Sequence, residues 1–428
     1  MPERINEELI VLILTTLLLI TSAGFYYRRK THFKIALYAI LMYSFSSIMS
    51  IVFYFQPLAH YNGQLNGNIS FLPLIYWLTL FSITLIPLFQ FDQSEVQSFK
   101  YNPKILNIIA VVGFGVSVVP FFEQLLLAPA LIGGGAVEDL GESMVDLHDN
   151  PTLDNMSFLG RNGLRFNVAI YDLSFIMLFV QLLQKKKNLK IIFFLLFIII
   201  TRNLTGIISG HRSAAIEVVM KVLLITLIAY PLIGTGEKKV VHKMIGWTFG
   251  IIGVIFAIIT IGRQMLYSAT RSEDFTMVYF LSWYAGEGLV NFNQFLPLMK
   301  HTADGQFTCW YFLHILGQNP PELTHDYMYG KMTTLQGIPQ NIFYTYIGNV
   351  VQDFGFIIAA ILLSILALIF KGATRVKGRV MPISTLYLLV FYSTVILQGV
   401  TSYPYCADHG KFVIWNIYIY ILLRLFRM

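Results

Sequence analysis

In the stretch TRNLTGIISGHRSAAIEVVMK, Arg202 and Arg212 stand on either side of a glycine-containing turn between two apolar runs, with Ser209, Gly210, His211 and Ser213 beside Arg212. A guanidinium presents a planar fork of donors that holds phosphate bidentately. Ser209 or Gly210 can cap the helix that follows, so its free N–H groups and positive dipole end face the same region as Arg212. Together they describe an anion site of the phosphate-binding kind. A second pair, Arg263 and Arg271 in IGRQMLYSATRSEDF, is spaced so that a helix would place both guanidiniums on one face, about 12 Å apart. Glu273 and Asp274 offer Arg271 the alternative of local neutralisation, and Glu217 and Lys221, one helical turn apart, read as an intrahelical ion pair.

Two further segments carry carboxylates among amides and aromatic rings. SWYAGEGLVNFNQFL contains Tyr284, Glu287, Asn291 and Asn293, the mixture that sugar hydroxyls and apolar sugar faces require. Gly286 and Gly288 beside a charge also permit a broken helix, tolerated at membrane depth where it is buried in protein or lines a cavity. In IFYTYIGNVVQDFGFIIAA, Asp353 falls near the start of a long apolar helix, close to Tyr344, Tyr346, Asn349 and Gln352. It reads as a base, as the partner of an arginine, or as an anion favoured by the helix dipole. His409 with Asp408, and His211, complete the acid/base candidates. The sequence has no Walker A segment, dinucleotide fingerprint, HExxH, CxxC or GxSxG. The two cysteines, Cys309 and Cys406, are too few for a thiolate zinc site or a disulfide framework, and a single disulfide between them is the remaining pairing. The expected chemistry uses neither metal nor nucleotide.

The elements that position these residues are membrane helices. Of 428 residues 56% are hydrophobic and only 12% charged, half the charged share of soluble domains. Hydropathy predicts an all-α polytopic membrane protein with about eleven spans. They are centred in 9–27, 33–55, 71–89, 105–122, 164–183, 189–208, 213–233, 244–262, 343–370, 380–399 and 410–425. The stretch 275–300 is interrupted by Glu287, Asn291, Asn293 and Pro297 and reads as a re-entrant or interfacial helix. The first run is too long for a signal-peptide core and has no basic region before it, so it reads as a retained span.

Sorting charges by side explains the net charge of +7. Alternate connections hold clusters such as Lys185 to Lys187 with Lys190, and Lys371, Arg375, Lys377 and Arg379. These are the connections that the positive-inside rule assigns to the cytoplasm. The N-terminus is then periplasmic and the C-terminus cytoplasmic. The basic excess is a topology signal, with no contiguous basic face for nucleic acid. The whole of 1–428 reads as one membrane domain with two long outer connections. The first, 123–163, is acidic and glycine-rich, and the second, 263–342, is expected to be partly helical and to form a cap. Arg4, Arg161, Arg165, Arg202, Arg212, Arg263 and Arg271 fall on this outer side, and pairing with its acidic residues is the structural alternative to ligand binding.

Three segments, SGHRSAAIEV, YAGEGLVNFNQFL and YTYIGNVVQDFGFIIA, resemble motifs of the bacterial Wzy-type O-antigen or oligosaccharide repeat-unit polymerases, with His211 a departure from the small or polar residue usual before the arginine. The resemblance extends to the general layout of nearly the whole chain. It implies a GT-C-like glycosyltransferase of the inner membrane, joining repeat units carried on undecaprenyl diphosphate at the periplasmic face. A chain-length regulator and a flippase are the implied pathway partners. Arg212, Arg263 and Arg271 would stabilise the departing diphosphate. Asp353 or Glu287 would orient or deprotonate the acceptor, and Arg202, His211, Tyr284, Asn291 and Tyr346 would bind substrate. An O-antigen ligase-type transferase and a lipid-linked oligosaccharide flippase are the competing readings.

Overall fold

The computed structural model describes residues 2–28, 34–61, 65, 69–92, 95–133, 156–184, 186–208, 212–233, 238–239, 241–243, 245–247, 250, 253–254, 276–318, 327–340, 342, 344–375, 379–401 and 410–426. Six of the described helices are long and apolar enough to cross a bilayer: Glu7–Arg28, Ile35–Tyr54, Phe71–Phe89, Pro103–Leu126, Phe158–Leu182 and Thr345–Ala373. Two shorter apolar helices lie in Ile383–Gln398 and Phe412–Leu425. The chain divides into two compact units. One comprises Met1–Asp92, Ser268–Arg375 and Tyr392–Ile414, and the other Gln93–Tyr267, Val376–Phe391 and Trp415–Met428.

In the first unit, α1 (Pro2–Arg28) packs on α2 (Lys34–Tyr54), which is followed by the short α3 (Pro57–Tyr61) and by α4 (Phe71–Phe89). Buried hydroxyls join α1 to α2, with Thr16 and Ser47 hydrogen-bonded at 2.7 Å. Such side chains satisfy one another where no water is available.

The second unit contains α5 (Pro103–Gly133), α6 (Phe158–Leu182), α7 (Leu189–Ile208) and α8 (Arg212–Ala229). Ser157 caps α6 by accepting the Gly160 N–H. Helices α5, α6 and α7 meet along a polar seam in which Ser117 donates to Asn167 at 2.8 Å and Asn167 donates to the Ile198 carbonyl. A two-stranded parallel pair, β1 (Ser98–Lys100) with β2 (Val380–Pro382), joins two of the connections that the charge pattern places on one side of the membrane.

Returning to the first unit, α9 (Met277–Phe295) is one uninterrupted helix capped by Thr276. The glycines of AGEG therefore do not break it; they let other backbones approach. A Cβ on Gly286 would lie 2.4 Å from the Met49 and Ser50 backbone, and one on Gly288 would lie 2.9 Å from the Val400 carbonyl oxygen. Short helices α10 (Trp310–Ile315) and α11 (Thr333–Gln336) occupy the connection to α12 (Thr345–Ala373), and α13 (Ile383–Gln398) and α14 (Gly410–Leu425) are each divided between the two units.

The break that the glycines of α9 would have permitted occurs instead in α12. Gly355, at φ 74° and ψ 171°, interrupts the helix after ten residues, in a region of backbone space open to glycine. A continuous helix would hold residues 346 and 370 about 36 Å apart. Yet Tyr346 reaches Thr84 directly, and Phe370 is linked to it through one ring. The Tyr346 hydroxyl bonds to the Thr84 side chain, and Phe370 stacks at 4.3 Å on Tyr392, whose hydroxyl donates to the Thr84 carbonyl. The chain therefore doubles back at Gly355. Thr345–Phe354 is a buried half-helix, and only the apolar part from residue 356 onward remains to span.

Candidate functional site

The half-helix and α9 bring together two segments 50 residues apart in sequence. Glu287 is 1% exposed at the centre of α9, where Asn291 donates to its Oε1 at 2.8 Å and Gln294 donates to Asn291 Oδ1 at 2.9 Å. One turn further, Asn293 donates to the Ser70 carbonyl and accepts the Ser70 N–H, tying α9 to the start of α4. A Cβ on Gly288 would also approach Thr345, and one on Gly348 would meet Phe292 at 3.1 Å, so small residues on each segment admit the other. Tyr344, at the head of the half-helix, donates to the Pro339 carbonyl at 2.6 Å. Burial, and then the Glu287 charge, push its phenol above the ordinary range.

The head of the half-helix is held by surrounding groups. The N–H groups of Thr345 and Tyr346 donate to the carbonyls of Thr401 and Gly399, and the Trp77 indole donates to Thr345 Oγ1. Thr345 is a β-branched residue at φ 64°, a conformation that persists only where its surroundings enforce it. The Thr345 and Tyr346 N–H groups are thus committed to protein carbonyls.

Asp353 lies at the tail of the half-helix, two residues before the Gly355 break and three before the apolar part of α12 begins. It is fully buried, and its carboxylate accepts the Phe307 and Thr308 N–H groups. The preceding carbonyl, Gln352, accepts from Ala303 and from the Gln336 amide, while the Gln352 amide donates to Gln340. Asp353 and Gln352 thus hold residues 303–308 and 336–340 on the broken end of α12. Cys309, a free thiol, follows directly. Burial pushes its pKa up, and the charge of Asp353 adds to that. In a chain lacking Cys406, iodoacetamide is expected to alkylate Cys309 more slowly than an exposed thiol at pH 8. Asp353→Asn should accelerate the reaction, with intact mass against time as the readout, since it removes both the charge and a hydrogen-bond acceptor.

In the second unit, Lys221 contacts the carboxylates of both Asp172 and Glu217, with 3% of its side chain exposed. Its ammonium lies 4.0 Å from the Tyr171 ring centroid, and the Arg202 guanidinium lies 5.9 Å from the same ring. The Tyr171 hydroxyl bonds to Asn203. Arg202 Nε is buried with no hydrogen-bond partner. The Glu217–Lys221 pair expected from spacing is present, but Asp172 makes it a triad. Sequence reasoning passed over Asp172, although a charge inside the apolar run YDLSFIMLFVQL is itself a signal, because a carboxylate at mid-span must find a partner.

Of the other expected site residues, Tyr284 packs its ring 4.9 Å from Phe280 and 5.5 Å from Trp283. Tyr346 is buried against Thr84. Arg212 opens α8, but its side chain lies outside the described residues, as do His211, Arg263 and Arg271 altogether. Among the described residues no group of three or more His, Cys, Asp and Glu is arranged to hold a metal ion.

Fold and site together define a multi-pass helical membrane protein with buried carboxylates inside its helix bundles. Comparison with family models, with curated proteins and with solved structures returned no match.

Proposed function

We propose that the protein polymerises undecaprenyl-diphosphate-linked oligosaccharide repeat units into O-antigen or a related surface polysaccharide, by glycosyl transfer on the periplasmic face of the bacterial inner membrane. The observation that carries this reading is the packing of YAGEGLVNFNQFL against YTYIGNVVQDFGFIIA, two of the three segments that resemble the polymerase family. Glu287 and Asn291 come to lie beside Tyr344 and Thr345. Of the two carboxylates considered, Glu287 is the better acceptor-orienting group or base, because both oxygens of Asp353 already accept backbone N–H groups. Arg212, Arg263 and Arg271 are the proposed diphosphate ligands, and transfer needs only electrostatic stabilisation of that leaving group together with one positioned base.

The test is extension of a synthetic lipid-linked repeat unit by the purified protein in liposomes, without nucleotide or added metal. Glu287→Gln is expected to slow extension by about 100-fold or more. Arg212, Arg263 and Arg271 replaced singly by Lys or Ala should shorten or abolish the polymer, and normal polymer from all six variants would remove the diphosphate-clamp idea.

One observation favours a second reading, a flippase for lipid-linked oligosaccharide. Asp172 and Lys221 lie inside their helices rather than at the ends, where transporters place ionisable groups. Translocation of the lipid-linked unit without lengthening would decide for it. Loss of the gene separates the ligase reading, since a missing ligase leaves long chains on the lipid carrier and a missing polymerase leaves single capped units.

A further inference from the structure

Residues 310–318, WYFLHILGQ, contain no Asp, Glu, Lys or Arg. They fold into α10 and its C-terminal turn, and no residue of α10 is buried. Phe312, Ile315 and Leu316 are 37%, 60% and 73% exposed. Their spacing of three and four residues sets them on one face of the helix. The rings of Trp310 and His314 stack with centroids 5.6 Å apart, using the same four-residue spacing. The backbone is closed without help from these side chains. Gly317, at φ 73°, ends the helix, and the Gln318 N–H donates back to the Leu313 carbonyl at 3.0 Å, a Schellman-type stop. At the other end, Asp353 fixes the chain by accepting the Phe307 and Thr308 N–H groups.

We propose that α10 lies in the plane of the bilayer surface, with Phe312, Ile315 and Leu316 in the boundary between headgroups and acyl chains. It thereby anchors the α9–α12 connection to lipid. An uncharged apolar run exposed at three positions on one helix face is unfavourable in water, whereas Trp and Tyr beside an apolar face are the residues that settle at a membrane interface. The occupant follows from the rest of the chain. Six helices already commit the protein to a bilayer, and a surface without charged side chains offers a soluble partner no charge complementarity. The inference is independent of the proposed catalytic activity.

Spin labels on single cysteines at positions 312, 315, 316 and 318, in a chain carrying Cys309→Ser and Cys406→Ser and reconstituted into phosphatidylcholine vesicles, test it. At 312, 315 and 316 collisions with oxygen should exceed those with a water-soluble nickel chelate severalfold, with the order reversed at 318. Access of the chelate to all four positions would overturn the proposal. So would exclusion of both reagents, the result expected if a second copy covered the face. Because a labelled variant can misfold, the unlabelled protein supplies a second measurement. In vesicles of brominated lipid, Trp310→Phe should reduce the quenchable fraction of tryptophan emission, and an unchanged fraction would also overturn the proposal.

Discussion

Lys221→Met is expected to be among the most destabilising single substitutions in the chain. It leaves the Asp172 and Glu217 carboxylates facing each other without the ammonium that both contact, with 8% and 24% of their side chains exposed. Breaking a buried ion pair from one side costs about 3–5 kcal/mol, because the remaining charge has neither water nor partner. At roughly 2 °C per kcal/mol for a large domain, the thermal midpoint in detergent should fall by about 6–10 °C. The companion experiment identifies the cause. Adding Asp172→Asn to Lys221→Met removes the surplus negative charge and should recover more than half of the loss, whereas Asp172→Asn alone should destabilise. That non-additivity is the signature of direct coupling. A single Lys221→Met variant that unfolds within a degree of wild type would show that the triad does not hold α6 and α8 together.

The second large effect is expected at Gly286. The α2–α9 contact is made by backbones brought close over small residues, with Ser46 donating to the Ala285 carbonyl at 2.6 Å and Ser50 to the Gly286 carbonyl at 2.7 Å. A methyl at Gly286 would sit 2.4 Å from the Met49 and Ser50 main chain, which has no rotamer with which to yield. Gly286→Ala should therefore cost about 1–3 kcal/mol through overpacking, and Gly286→Leu should abolish recovery of folded protein. Glu287, the next residue, would move with the separated helices, so activity should fall further than stability. Gly24 supplies the contrast, since a Cβ there meets nothing within 4 Å. Gly24→Ala should be neutral or stabilising by up to about 1 kcal/mol, the ordinary gain in helix propensity. The two variants are compared by thermal unfolding and by the yield of monodisperse protein.

Much of the membrane character was legible because it is a property of composition. Runs such as Leu9–Tyr27 and Phe71–Phe89 must be helical in lipid, where every backbone group has to be paired within the segment. The pair Glu217–Lys221 was legible for a similar reason, since four residues on a helix always bring two side chains together. The break in α12 was not. Glycines occur in both YAGEGL and QDFGFI, and local sequence does not say which yields. In the folded chain Gly286 and Gly288 face the backbones of other elements, while Gly355 takes a backbone conformation that ends one helix and starts another.

Asp353 is the sharpest case. Read in sequence, it opens a long apolar helix and has three possible employments. In the structure its partners are the main-chain N–H groups of Phe307 and Thr308, which carry no side-chain signal at all. Asp172 joined Lys221 for a comparable reason: their separation of nearly 50 residues is invisible to any rule of local spacing. The sequence alone determined the solvent of this protein and the residue types available for chemistry, because hydropathy and charge are sums over neighbours. Which carboxylate became an active-site candidate, a clamp on a loop or part of an ion triad was decided by tertiary structure, because a buried charge takes its role from the groups that distant segments bring within hydrogen-bond reach.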